Sequence, residues 1–188
     1  MKKITLVLLT AASLSLTSSA VLADKHTVSI GYAQSKVSDF KNIRGVNLQY
    51  RYEFDSPFSV TGSLTWMKEN DVMNYYVTRD YVTNHIDVKY YSLLVGPAYR
   101  INNWVSLYAL GGFAHTRANS KADFINYGDN ALLHDNISKK STSFAYGLGV
   151  MINPMQNVSV NIGYEGTHVD LQGNHSINGF NAGIGYRF

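Results

Sequence analysis

Several features that the sequence lacks already limit the possible folds. It has no cysteine and only three prolines among 188 residues. The missing cysteines exclude a disulfide framework, so the fold must be stable without one. After the N-terminal region, no apolar run reaches the roughly 20 residues of a membrane-spanning helix. A multi-helix membrane protein is therefore excluded, and the apolar side chains must be distributed in another way.

The first residues have the pattern of a secretory signal peptide. Met1–Lys3 is positively charged, Ile4–Leu16 is largely apolar, and Val21–Ala23 offers small or aliphatic residues before a cleavage site. We predict that residues 1–23 are removed and that residues 24–188 form one domain; an uncleaved N-terminal anchor is the alternative. Loss of two lysines lowers the net charge from +3 to +1, so the composition does not indicate nucleic-acid binding.

A period of two runs through the rest of the chain. Between Gly45 and Phe54 the apolar or aromatic side chains alternate with polar ones, and the pattern recurs in Phe58–Trp66, Phe144–Ile152 and Val158–Tyr164. Such alternation is typical of β-strands with one apolar and one polar face. Each stretch approaches the roughly 9–11 residues of a tilted transmembrane strand.

Links between these stretches alternate in length. Three are short and four are long and polar. The short links are Asp55–Pro57, Ile101–Asn103 and Asn153–Asn157, and the long ones are Ser38–Ile43, Glu69–His85, Ala118–Lys139 and Asp170–His175. We predict an all-β fold: an eight-stranded antiparallel transmembrane β-barrel, up-and-down, with short periplasmic turns and longer extracellular loops. A soluble β-sandwich is the alternative. Pro97, inside a strand, predicts a bulge or local irregularity.

Charged side chains on the polar face predict a network inside the barrel. The candidates are Arg51, Glu53, Arg100, Glu165 and Arg187, several of them near the predicted periplasmic strand ends. Charges in a narrow interior must be paired, and an eight-stranded barrel is just filled by side chains, so no open pore is expected. The alternative is that these charges are solvated on an ordinary sheet.

Aromatic residues collect near the predicted strand ends, as the two interfacial girdles of a membrane barrel require. One group lies near the short turns and the C-terminus: Tyr50, Tyr52, Phe54, Phe58, Tyr99, Trp104, Tyr186 and Phe188. The other lies near the long loops: Tyr32, Trp66, Tyr90 and Phe144.

In the final strand Ile184, Tyr186 and Phe188 share the apolar face. They look like the C-terminal signal that the barrel-assembly machinery recognises in outer-membrane barrels.

Several segments together resemble one known family, the Ail/PagC/OmpX/Lom proteins. They are Gly31–Ser35, Asn47–Glu53, Val95–Arg100, Asn153–Asn157 and Gly183–Phe188, and Lys41–Gly45 is most similar to the PagC/Ail branch. The resemblance covers the strands and periplasmic turns and is weak across the second and third loops. It implies a virulence-associated protein in the outer membrane of a Gram-negative bacterium. Its loops would serve adhesion or invasion, resistance to complement, or survival in phagocytes.

Two sets of residues are candidates for contacts outside the cell. Exposed aromatics with an arginine suit a host extracellular-matrix, complement or cell-surface partner. This first set is Tyr75, Tyr76, Arg79, Tyr81, Phe124 and Tyr127. The same residues could instead extend the hairpins and pair across strands, and both interpretations stay open.

The second set is basic and lies near the predicted outer rim. Such residues suit the phosphates of lipopolysaccharide or a sulfated glycan. They are Lys36, Lys41, Arg44, Lys68, Lys89, Arg117, Lys139 and Lys140. Asp39, Glu69, Asp71 and Asp87 are interspersed, so a merely solvated rim is the alternative.

Catalysis is not expected. Histidines and aspartates are scattered through the loops, but none shows the spacing of a metal site or a catalytic triad. We expect no cofactor, no metal and no nucleic-acid partner, and a monomer in contact with outer-membrane lipid. A structural barrel that supports envelope integrity through lipopolysaccharide contacts is one alternative, and a barrel enzyme is another.

Overall fold

The computed structural model describes residues 25–38, 42–77, 80–125, 132–170 and 174–188. The predicted signal peptide lies outside the described residues. Eight strands follow one another: β1 (His26–Val37), β2 (Asn42–Glu53), β3 (Phe58–Val77), β4 (Asp80–Arg100), β5 (Val105–Ile125), β6 (Leu132–Met155), β7 (Val158–Asp170) and β8 (Asn174–Arg187). In the part of the chain that is described, there is no helix long and apolar enough to cross a membrane.

The strands close into a barrel. Each pairs antiparallel with its neighbours in sequence, and β1 closes the barrel by pairing with β8 from Thr27↔Arg187 to Val37↔Ile177. Closure pairs β1 with β8, the two strands that would be the edges of an open sheet. The predicted all-β, eight-stranded antiparallel barrel is confirmed.

The central four strands are longer than the others. β3 to β6 contain 20 to 24 residues each, whereas β1, β2, β7 and β8 contain 12 to 14. Pairing of β3 with β4 continues to Val77↔Asp80, and pairing of β5 with β6 to Ile125↔Leu132. The predicted bounds of the second and third loops were therefore wrong. Their β-branched and aromatic residues favour strand, and they extend the hairpins outward.

The two faces of the wall are distributed as the alternation predicted. On β2, Leu48 is 43% exposed while Asn47 and Gln49, its neighbours, are 1% and 3% exposed. Apolar and aromatic side chains thus cover the outside, and polar ones fill the inside. This is the reverse of a soluble protein and matches a barrel whose outer face meets lipid.

Tyr90 was wrongly predicted to belong to the outer girdle. Its side chain is 1% exposed and points into the lumen, whereas the neighbouring Tyr91 is 43% exposed and lies on the outer face. Tyr91 is in phase with Leu93 and Val95, which also face outward. The girdle position on β4 therefore belongs to Tyr91.

Prolines affect the ladder in two places. At Pro97 the pairing of β4 with β5 is interrupted between Val95↔Gly111 and Ala98↔Tyr108, but the register does not slip. The interruption confirms an irregularity without a bulge, since proline has no N–H to donate. The register shift occurs instead between Ile152 and Met155 on β6, where the chain contains Pro154.

Buried side chains occupy the lumen. Those at its outer end are apolar: Val37, Ile43, Met67, Val88 and Ile177. Lower down, the ring of Tyr108 on β5 lies over Gly149 and Gly163 on the next two strands, β6 and β7, where any added Cβ would collide with the phenol. A large side chain thus occupies the space that glycines leave on neighbouring strands.

Candidate functional site

Three arginines surround one carboxylate at the periplasmic end of the lumen. Arg100 Nη2 donates to Glu53 Oε2 at 2.5 Å, and Arg187 Nη2 donates to the same oxygen at 3.2 Å. Arg51 Nη1 lies 3.7 Å from Glu53 Oε1. We call Arg51, Glu53, Arg100 and Arg187 the ion cluster. Its members come from β2, β4 and β8, so it ties together three parts of the wall.

Arg51 is held by more than charge. Its Nε donates to Ser59 Oγ at 2.8 Å and its Nη2 to Ser106 Oγ at 3.0 Å. Arg51 is 1% exposed and Glu53 is 2% exposed. A charge so deeply buried is tolerated only when it is paired and hydrogen-bonded, and both conditions hold here.

Glu165 was predicted to belong to the same network, but it does not contact the ion cluster. It lies seven residues beyond Val158, where β7 begins, and therefore higher in the lumen. Its carboxylate accepts hydrogen bonds from Tyr90 Oη at 2.6 Å and Thr65 Oγ1 at 2.9 Å. Its ladder partners are Gly147 and Gly179, which carry no side chains. The space they leave lets Glu165 reach across to β3 and β4.

Sequence reasoning missed Tyr90 and Thr65 as the partners of Glu165. Their one available signal was phase: on β4, Tyr90 alternates with the outward set that contains Tyr91 and Leu93. Which inward residues meet across the lumen depends on long-range register, and no local pattern encodes that.

An exposed ion pair lies beside the first turn. Lys25 Nζ is 2.7 Å from Asp55 Oδ1, and the aspartate side chain is 87% exposed. The hydrogen bond to Asp55, helped by the charge of the same carboxylate, raises the pKa of Lys25 above its ordinary value. The ammonium group of Lys25 therefore stays charged at neutral pH.

The last strand meets the first at the barrel seam. His26 and Phe188 exchange two backbone hydrogen bonds, of 2.9 and 2.8 Å, and their rings stack with centroids 5.7 Å apart. Ile184, Tyr186 and Phe188 are all exposed on the outer face. This geometry is compatible with the predicted assembly signal, which stays a prediction.

Basic side chains form a continuous line across five strands. Arg44 pairs with Lys68, Lys68 with Lys89, Lys89 with Arg117, and Arg117 with Lys140. We call these five residues the basic row. Neighbouring strands lie about 4.8 Å apart, so the row extends roughly 19 Å around the barrel. All five alternate in phase with outward residues such as Trp66 and Tyr91.

The other predicted rim residues do not join the row. Lys139 is paired with Ala118 and alternates with the inward set. Lys36 is on the outer face but pairs with Asn42 and Asn178, so it is a diagonal neighbour of Arg44 and lies one step above the row. Lys41 and Asp39 lie outside the described residues.

Acidic residues interrupt the row less than the sequence suggested. Glu69 pairs with the buried Val88, and Asp71 is itself 9% exposed, so both belong to the inner face. Asp87 is on the outer face, with its Oδ2 3.9 Å from Lys89 Nζ. The strand register thus places the carboxylates of Glu69 and Asp71 on the opposite face of the wall from the basic row.

The predicted host-binding residues lie in the outer hairpins. Tyr75 and Tyr76 are on β3, Tyr81 on β4 and Phe124 on β5. The backbones of Tyr76 and Tyr81 are directly paired. Arg79 and Tyr127 lie outside the described residues.

Comparison with known proteins places this architecture in a family. The chain matches the Enterobacterial Ail/Lom protein family over residues 1–188. It is 46% identical over 168 residues to the virulence membrane protein PagC of Salmonella typhimurium, and the aligned region covers 88% of each chain. It is 36% identical over 194 residues to the attachment invasion locus protein of Yersinia enterocolitica, which covers 100% of both.

Solved structures agree. The crystal structure of Ail, the attachment invasion locus protein of Yersinia pestis, is 34% identical to this chain with a TM-score of 0.69, covering 88% of this chain and 99% of that one. The same protein in complex with the heparin analogue sucrose octasulfate is 36% identical, with a TM-score of 0.66 and the same coverage. The relatives are named as outer-membrane, virulence and attachment proteins, and none of these names denotes an enzyme. The chain is an outer-membrane β-barrel that belongs to the Enterobacterial Ail/Lom protein family.

Proposed function

We propose that the chain mediates contact with host surfaces, and that its basic row binds sulfated glycans there. The observation that carries the proposal is the register that aligns five cationic side chains on the outer face. A repeated anion spaced along a saccharide can meet several of them at once, and guanidinium and ammonium groups both suit sulfate or phosphate oxygens. Such contact would serve adhesion or invasion, or resistance to complement.

The extended hairpins support the same proposal. β2 pairs with β3 only as far as Arg44↔Lys68, and β7 with β6 only as far as Ala145↔Thr167. Beyond these points the outer parts of β3 and β6 are sheet edges within the described residues. An edge offers unpaired backbone groups to an added strand, so a host protein could extend the sheet while a glycan meets the row.

A relative supplies independent support. Ail of Yersinia pestis has been crystallised with sucrose octasulfate, a heparin analogue. Transferred to this chain, that binding would fall to cationic groups on the outer surface, and the basic row is such a set.

The test compares two charge-matched double variants in bacteria that neither adhere nor resist serum by themselves. Lys89→Gln with Arg117→Gln removes the centre of the row. Lys25→Gln with Lys139→Gln removes the same charge from the periplasmic end and from the inward face, outside the row. We expect the first variant to lose about tenfold or more in adhesion to glycan-bearing cells and in binding of sucrose octasulfate, because two charge-assisted contacts disappear. The second should behave as wild type. Equal adhesion by both variants would refute the proposal.

The basic row also favours a second candidate, in which it holds the phosphates of lipopolysaccharide and supports the envelope. Under this alternative, the Lys89→Gln, Arg117→Gln variant would retain less lipopolysaccharide on purification and make cells more sensitive to detergent, while adhesion stays unchanged. Serum survival, measured on the same strains, shows whether complement resistance follows adhesion or envelope integrity.

A further inference from the structure

The periplasmic end of the lumen contains a pocket with an excess of positive charge. A cavity of about 380 Å³ opens between the second and third turns, and its polar lining consists of Arg100, Asn103, Trp104, Asn153, Gln156 and Arg187. Asn153 N–H donates to the Trp104 carbonyl at 2.8 Å, so the two turns are fixed to each other. We call this the periplasmic pocket.

The charge excess follows from the ion cluster. Arg51 and Arg100 both rely on the one carboxylate of Glu53, which is their only acidic partner among the described residues. Two guanidinium groups thus share a single counter-charge.

Arg100 presents this charge at the periplasmic mouth of the barrel, where it lines the pocket and also a neighbouring cavity that contains Asp55. Among the described residues, the one hydrogen bond of its side chain is that from Nη2 to Glu53. A guanidinium has five N–H donors, and the Arg100 side chain is 33% exposed where it lines the pocket. Its remaining donors are thus available on the accessible side of the cluster.

The other lining groups can also donate. The side-chain amides of Asn103, Asn153 and Gln156 and the indole N–H of Trp104 all carry hydrogen-bond donors. No carboxylate lines this cavity. Cationic and neutral donors arranged around a small hollow form a binding site for an oxyanion.

We propose that the periplasmic pocket binds a phosphate group, held chiefly by Arg100. The chemistry is that of a phosphate oxyanion, which either a free phosphate or the headgroup of an inner-leaflet phospholipid supplies. The phospholipid has a route on the same strands, because an apolar hollow on the outer face lies directly beyond, lined by Tyr99, Leu107 and Val150 among others. This site lies at the opposite end of the barrel from the basic row and does not depend on the proposed host contact.

Trp104 allows a direct test, because its side chain lines the pocket. In nonionic detergent micelles, titration with inorganic phosphate should move the indole N–H resonance of Trp104 along a saturating curve. The Lys89→Gln, Arg117→Gln variant, which lacks the centre of the basic row, should give the same curve. Chloride at matched ionic strength should not reproduce the shift. Absence of any movement at Trp104, or loss of the movement in the basic-row variant, would overturn the proposal.

Variants separate binding from folding. Arg100→Gln should weaken phosphate binding about tenfold, but it also removes a contact to Glu53. Gln156→Glu leaves the ion cluster intact and adds a negative charge to the pocket, so it should weaken binding by a similar factor. Gln34→Glu makes the same substitution at the opposite end of the barrel, where Gln34 pairs with Arg44, and should have little effect. Unchanged affinity in Gln156→Glu would refute the site even if Arg100→Gln does not fold.

A second arm identifies the source of the phosphate. In the same micelles, a short-chain phospholipid is added before the phosphate titration. A pocket that takes lipid headgroups would then show a weaker apparent affinity for inorganic phosphate at Trp104, because the two compete. A pocket that takes only free phosphate would give an unchanged curve. Either response supports the oxyanion site, whereas a Trp104 signal that responds to neither inorganic phosphate nor the phospholipid contradicts it.

Discussion

Replacing Glu53 by glutamine should destabilise the barrel strongly. The amide keeps the shape of the side chain but removes the charge that compensates Arg51, Arg100 and Arg187. Breaking a buried ion pair by removing one partner typically costs about 3–5 kcal/mol. Arg100 and Arg187 are partly accessible, at 33% and 17% of their side chains, and can recover some hydration. We therefore expect the lower end of that range, about 3 kcal/mol.

The assay is equilibrium unfolding in urea, followed by tryptophan fluorescence of protein refolded in micelles. With a denaturant slope of about 2 kcal/mol per molar urea, the midpoint of Glu53→Gln should fall by roughly 1.5 M. The matched control is Asp55→Asn, which makes the same chemical change in a carboxylate that is 87% exposed. Its midpoint should stay within experimental error, because exposed ion pairs contribute little.

A double variant distinguishes electrostatics from packing. Adding Arg51→Gln to Glu53→Gln removes one uncompensated guanidinium, so the pair of substitutions should cost less than the sum of the two single ones. Equal midpoints for Glu53→Gln and Asp55→Asn, or full additivity in the double variant, would refute the role assigned to the ion cluster.

Other predictions address the remaining features. Tyr90→Phe should cost about 1.5–3 kcal/mol in the same urea assay, because a buried carboxylate loses a charge-assisted donor; a loss below 0.5 kcal/mol, on the order of a surface change, would contradict this. Gly163→Ala should cost about 1–3 kcal/mol through collision with Tyr108, and Tyr108→Leu in the same chain should recover part of it. Deletion of Phe188 should leave unfolded protein in the periplasm, seen as loss of the mobility difference between unheated and boiled samples. Mass spectrometry of the outer-membrane form should give a chain that begins at Asp24.

Short-range pattern was sufficient for the wall of the barrel. Alternation in Gly45–Phe54 gave the correct faces of β2, because the side-chain direction in a strand depends only on residue parity. The same rule was applied in the wrong phase at Tyr90 and Tyr91, two adjacent residues of which only one can face outward. Tyr91 has the same parity as Leu93 and Val95, which face outward, so Tyr91 is the girdle residue.

Contacts inside the lumen could be predicted only in part. Arg51, Glu53 and Arg100 lie at strand ends beside short turns, and Arg187 ends the last strand, so the sequence predicts their level along the barrel axis. Glu165 is farther along its strand, and its partners Tyr90 and Thr65 come from the opposite wall. Position across a lumen depends on strand tilt and on the register of every intervening pair, and no local segment contains that information.

The basic row constrains how chain length can change. Pairing holds Arg44, Lys68, Lys89, Arg117 and Lys140 in one line because each strand has a fixed number of residues between its periplasmic turn and the row. One residue inserted below the row would turn that strand's cation into the lumen and a lumen side chain into the lipid. Insertions there must come in pairs, whereas the hairpins above the row can lengthen or shorten freely. Related chains should therefore differ only by substitution between the periplasmic turns and the basic row. Differences in length should occur only in the hairpins beyond the basic row.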